Sequence, residues 1–116
     1  MKKIYLSSLL LVGVILSATA MAAGDAANGK TLFATTCMAC HGVDAKGITG
    51  LGKDLTASAF SKKLTDAQLV AFIEKGRDVS DPANTTHVPM PPKGGNASLT
   101  DVQIGDIVAY IRTLQK

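Results

Sequence analysis

The sequence predicts an all-α domain of three main helices joined by long loops. Three observations carry that prediction. Two segments, beginning at Thr65 and Thr100, pair a capping box with an apolar pattern at helical spacing. Glycine and proline gather between the helical segments, at 42–52 and 82–95. No stretch alternates apolar and polar residues as a half-buried strand does.

The chain opens with the three parts of a secretory signal. Lys2 and Lys3 form a basic start, Ile4 to Leu16 is an apolar run, and Ala20-Met21-Ala22 is an A-x-A cleavage site. Cleavage there makes 1–22 a signal peptide and 23–116 the mature domain. An uncleaved anchor is the rival, since Ile4 to Ala23 comes close to the ~20 residues that span a bilayer. However, its end is small and weakly apolar, and no basic cluster follows it. Loss of Lys2 and Lys3 turns twelve basic against nine acidic residues into ten against nine. That balance, with no basic stripe, excludes the footprint of a nucleic-acid binder.

The first helix is expected from Ala23 to Thr36, with Asp25 as N-cap and Leu32 and Phe33 turned inward. Gly29 lies one turn before Phe33 on the same face, where a second helix can cross closely. Residues 42–55 read as a glycine-rich loop. Residues 56–63 read as loop with a short helical turn, Phe60 and Leu64 dipping toward the core. Thr65-Asp66-Ala67-Gln68 starts the second main helix, which Gly76 ends. Residues 77–98 hold all four prolines, and Val88 to Pro92 should form a stiff extended strap around Met90. Thr100-Asp101-Val102-Gln103 starts the last helix, whose stripe is Ile104, Ile107, Val108, Ile111 and Leu114, with Tyr110 at its edge.

The chemistry lies between the first helix and the first loop. Cys37-Met38-Ala39-Cys40-His41 has the spacing of a c-type haem attachment motif. Each thiol adds across one porphyrin vinyl group, and His41 offers an imidazole nitrogen to the iron. A thioredoxin-like site needs a βαβ context that is missing here. A zinc site needs further ligands, and His87 alone remains as a strong one. A plain disulfide leaves His41 unexplained. A domain of under about 100 residues is near the lower limit for an ordinary core. With no Trp and few other aromatics, this one needs a porphyrin's apolar surface, so folding and haem attachment should be coupled.

The sixth iron position then decides function. Met38 sits inside the attachment loop and cannot reach the other face. Met90, held among Pro89, Pro91 and Pro92, offers a rigid thioether, and Met/His ligation raises the reduction potential. His87 is the competitor, more simply read as a solvated loop residue.

These residues resemble the class I monohaem bacterial cytochromes c, small periplasmic electron carriers, over essentially the whole mature chain. Cys37, Cys40 and His41 match the haem motif. Met90 in Met-Pro-Pro-Lys-Gly-Gly resembles the methionine loop. Gly29, Phe33 and Tyr110 match the packing residues of the terminal helices. The resemblance implies a cytochrome c fold wrapped around one covalent haem c, with the terminal helices crossing near the haem edge. One departure stands out: Lys53 follows Gly52 where many members have proline, although its carbonyl remains available to orient His41.

The expected function is one-electron transfer, not catalysis, between periplasmic or membrane-bound redox proteins that dock transiently. Lys46, Lys53, Lys62, Lys63 and Lys93 are candidates for a docking rim. The chain is expected to be a monomer, meeting the membrane only through partners or an uncleaved signal. The alternative is a haem enzyme or gas-binding sensor with an open sixth site, peroxidase-like, with His87 as its distal acid–base group.

Overall fold

The computed structural model describes residues 24–116 and, before them, Gly13 alone. The segment read as a signal peptide or anchor lies outside the described residues, Gly13 excepted. Five α-helices follow in order: α1 (Ala26–Thr36), α2 (Met38–His41), α3 (Ala59–Lys63), α4 (Asp66–Lys75) and α5 (Asp101–Leu114). A 3₁₀ turn at Pro92–Gly95 precedes α5. Among the described residues no named strand occurs, and two isolated bridges, Ile48 to Gly52 and Arg77 to Met90, pin the loops. No described helix is long and apolar enough to cross a membrane.

Each helix begins where its capping chemistry places it. The Asp25 carboxylate accepts from the Ala27 and Asn28 N–H groups and starts α1 three residues later than Ala23. Both capping boxes are complete: Thr65 with Gln68 starts α4, and Thr100 with Gln103 starts α5. α3 realises the short helical turn read in 56–63, capped by the Ser58 hydroxyl.

The core forms where α1 and α4 pack on α5. Phe33, Ile104, Ile107 and Val108 are its largest fully buried side chains. Phe33 meets Tyr110 edge to face, with centroids 5.4 Å apart. Gly29 lets α1 and α5 touch backbone to backbone, because a Cβ there would overlap the Asp106 carbonyl. Asp106 itself is buried on α5 and reaches back across the crossing. Its carboxylate accepts from the Asp25 N–H and the Asn28 amide, each at 2.7 Å.

Arg112 ties the other end of α5 to the α3–α4 corner. Its guanidinium donates to the Ser61 and Leu64 carbonyls and to the Asp66 carboxylate. Its role is thus a tertiary tie rather than only the favourable helix-end charge its position suggests.

Candidate functional site

A single turn of helix organises the site. The Cys40 and His41 N–H groups donate back to the Cys37 carbonyl at 3.2 and 3.0 Å, and Gly42, at φ 84°, ends the turn. Cys37, Cys40 and His41 thereby line one cleft. Met38 packs against the core and is not among the lining residues. Burial, and behind it the nearby Cys40, pushes the Cys37 thiol up to about 11, so at neutral pH it stays protonated.

His41 is oriented from its far side. Its Nδ1 lies 2.8 Å from the Lys53 carbonyl oxygen. A carbonyl can only accept, so Nδ1 carries the proton and the neutral ring keeps its lone pair on Nε2. The loop bearing Lys53 is itself held: Gly47 N–H donates to the His41 carbonyl at 2.7 Å, and Ile48 N–H to the Gly52 carbonyl at 3.0 Å. The carbonyl that a proline would supply elsewhere is therefore in place here, on a lysine.

Met90 reaches the same cleft from the strap. Its N–H donates to the Arg77 carbonyl at 2.9 Å, and its carbonyl accepts from the Arg77 N–H at 2.8 Å. Gly76 permits this pairing, since it adopts φ 72° and a Cβ there would overlap the Met90 carbonyl. Pro91 is extended, at φ −67° and ψ 153°. The strap is shorter than expected, because Pro92 already belongs to the 3₁₀ turn, in which Lys93 and Gly94 have positive φ.

The remaining walls are mostly apolar: Leu51 and Leu55 from the loop, Leu69, Phe72 and Ile73 from α4, Leu99, and Ile107 and Ile111 from α5. Two thiols, one imidazole nitrogen and one thioether on a mostly apolar cleft are a donor set and lining that suit a porphyrin.

Two expectations need correction. Phe60 does not dip into the core: it is 45% exposed and stands at the cleft, edge to face with Phe72 at 5.0 Å. An apolar side chain that lines a cofactor site carries the same sequence signal as one packed in protein. Lys93 is not a free rim lysine. It is half-buried, and its Nζ donates to the Leu99 carbonyl at 2.9 Å because the left-handed turn points it inward. His87, by contrast, is the exposed loop residue it was more simply read to be; it does not line the cleft, where the rival reading needed it as a distal group. Lys46, Lys53, Lys62 and Lys63 are exposed, with the Lys53 and Lys62 ammonium groups donating to the Ala83 and Lys116 carbonyls. Sequence reasoning passed over Asp106 and Arg77, whose partners lie far away or in loops.

Fold and cleft together define a helical protein built around an apolar cofactor site with a c-type attachment motif. The family model for cytochrome c matches residues 26–115, and the chain belongs to that family. It is 42% identical over 90 residues to cytochrome c-555 of Prosthecochloris aestuarii, covering 75% of this chain and 85% of that protein. It is 36% identical over 104 residues to cytochrome c-555 of Chlorobaculum tepidum, covering 87% and 88%. Among solved structures it resembles cytochrome CL of Methylophaga aminisulfidivorans, with a TM-score of 0.57 and 27% identity. That match covers 77% of this chain but only 52% of the other, so this chain spans about half its length. Membership brings with it a covalently bound haem c and the role of electron carrier rather than enzyme.

Proposed function

We propose that this chain is a periplasmic one-electron carrier whose haem is joined through Cys37 and Cys40 and ligated by His41 and Met90. When bound, the haem supplies an iron that takes up and gives up one electron. The chain's own work is to hold two ligands fixed and to keep water from the metal. The Lys53 carbonyl fixes the His41 ring and leaves Nε2 free to ligate. The paired backbones of Arg77 and Met90 fix the strap that brings the thioether. Rigid ligands keep reorganisation on electron transfer small, and a thioether favours the reduced iron and so a positive potential.

The observation that carries this reading is the convergence of Cys37, Cys40, His41 and Met90 on one apolar cleft. The open-site alternative has nothing comparable, because its only candidate acid–base group, His87, lies outside the cleft.

In the same reading, residues 1–22 are a signal peptide removed on export, and 23–116 work in the periplasm as a monomer. Donor and acceptor proteins dock transiently, over the small interface typical of such encounters. The exposed lysines 46, 53, 62 and 63 are the candidate rim.

The visible spectrum of the purified holoprotein tests the assignment. Low-spin haem, a weak red-end sulfur-to-ferric-iron band and indifference of the reduced form to carbon monoxide are expected. A high-spin spectrum or ready carbon monoxide binding would overturn Met90 ligation and reopen the sensor reading. Mass spectrometry of the exported protein decides whether cleavage follows Ala22.

A further inference from the structure

Arg77 follows Gly76 at the end of α4 and is the residue whose backbone pairs with Met90. Its side chain, 13% exposed, runs along the cleft wall. The guanidinium carbon lies 4.8 Å from the centre of the Phe60 ring and 4.9 Å from that of Phe72. The flat cation thus rests against both rings of one edge-to-face pair, whose centroids are 5.0 Å apart. Asp81 comes to 3.4 Å from Nε, an ion-pair contact that does not satisfy the N–H. Among the described residues, this Nε is the one buried side-chain nitrogen or oxygen with no hydrogen-bond partner.

Other polar groups of the cleft are engaged. Lys53 donates to the Ala83 carbonyl, Lys93 to the Leu99 carbonyl, and Asn84 to the Asp78 and Val88 carbonyls. A buried N–H with no hydrogen-bond acceptor is costly even beside an ion-pair partner, and an acceptor inside the cleft would remove that cost. The haem carries two carboxylates, and guanidinium is well matched to a carboxylate.

We propose that Arg77 is a positioning residue with two ends: its side chain binds a haem carboxylate, and its backbone holds the Met90 strap. The first end rests only on the haem's lying in this cleft. The second rests on the assignment of Met90 as ligand. A single residue then fixes one edge of the haem relative to the sixth ligand. The Phe60–Phe72 pair orders the guanidinium at the cleft wall before the carboxylate arrives.

The test uses the reduced holoprotein labelled with ¹⁵N-arginine. The expected result is a slowly exchanging Arg77 Nε–H signal with a nuclear Overhauser contact to the methylene protons of a haem carboxylate side chain. Arg77→Gln should lower the reduction potential, because loss of a cation beside the haem favours the oxidised iron. Arg77→Lys should restore most of the potential but not the slow exchange. A fast-exchanging Nε–H without that contact overturns the proposal, and so does an unchanged potential in a folded Arg77→Gln protein. The sulfur band of the wild-type spectrum reports on Met90 separately. If it is missing, the Met90 assignment falls, while the Nε–H contact still decides the carboxylate.

Discussion

Replacing Gly29 by alanine sets two effects of opposite sign against each other. Intrinsic helix propensity favours alanine inside a helix by about 1 kcal/mol. The crossing of α1 and α5 opposes it. A Cβ at position 29 would overlap the Asp106 carbonyl and stand 2.9 Å from the Ile107 nitrogen, both rigid backbone in the middle of α5. No flexible side chain is available to yield, so the helices must separate. Overpacking of this kind costs about 1–3 kcal/mol, and separation also loosens Phe33, Ile104 and Ile107 around it. The net expectation is a loss of up to about 2 kcal/mol, against a total of about 5–15 kcal/mol for a small domain. Gly105 on α5 is the internal control, because no atom lies within 4 Å of its would-be Cβ. Gly105→Ala should gain up to about 1 kcal/mol from propensity alone. Urea unfolding of the ferric holoproteins, followed by far-ultraviolet circular dichroism, measures both. If Gly29→Ala is as stable as Gly105→Ala, the close crossing is refuted.

The remaining predictions concern charge and ligation. Asp106→Ala strands the Asp25 N–H and the Asn28 amide at the start of α1, and should cost about 1–3 kcal/mol in the same unfolding assay. A change under about 0.5 kcal/mol would place Asp106 among ordinary surface residues. The Thr56 hydroxyl, with the Thr56 and Ala57 N–H groups, holds the Asp54 carboxyl below its ordinary value. A depressed folded-state value contributes stability above the unfolded-state value and loses it as pH falls through the folded one. The margin of wild type over Asp54→Asn should therefore be steady at neutral pH and shrink in acid; a margin that grows in acid contradicts the hydrogen bonds. Met90→Ala should lose the sulfur band, lower the potential and bind carbon monoxide. Unchanged spectra would remove the methionine from the iron.

How much of this was legible in the sequence depended on the range of the interaction. The haem motif, both capping boxes and the Gly76 stop are local, and each appears where the residues put it. That a helix could cross closely at Gly29 was legible from its place one turn before Phe33, but that the C-terminal helix does so needed the family resemblance, since periodicity says which face is apolar but not what covers it. Asp106 was illegible because its partners lie 81 and 78 residues away, and a lone acidic residue within an apolar helix gives no sign of them. Phe60 and Lys93 failed for different reasons. Phe60 has the signature of a core residue because burial against a porphyrin and burial against protein select the same side chain. Lys93 has the signature of a surface residue because a left-handed backbone angle, which composition does not encode for lysine, turns it inward. Arg77 combines both difficulties. It follows a helix-stop glycine, where an exposed charge is the ordinary expectation. Only the folded chain brings Phe60, Phe72 and Met90 around it. Phe60, Lys93 and Arg77, unlike Asp106, all line the cleft, because there the chain is shaped to a surface that is not its own.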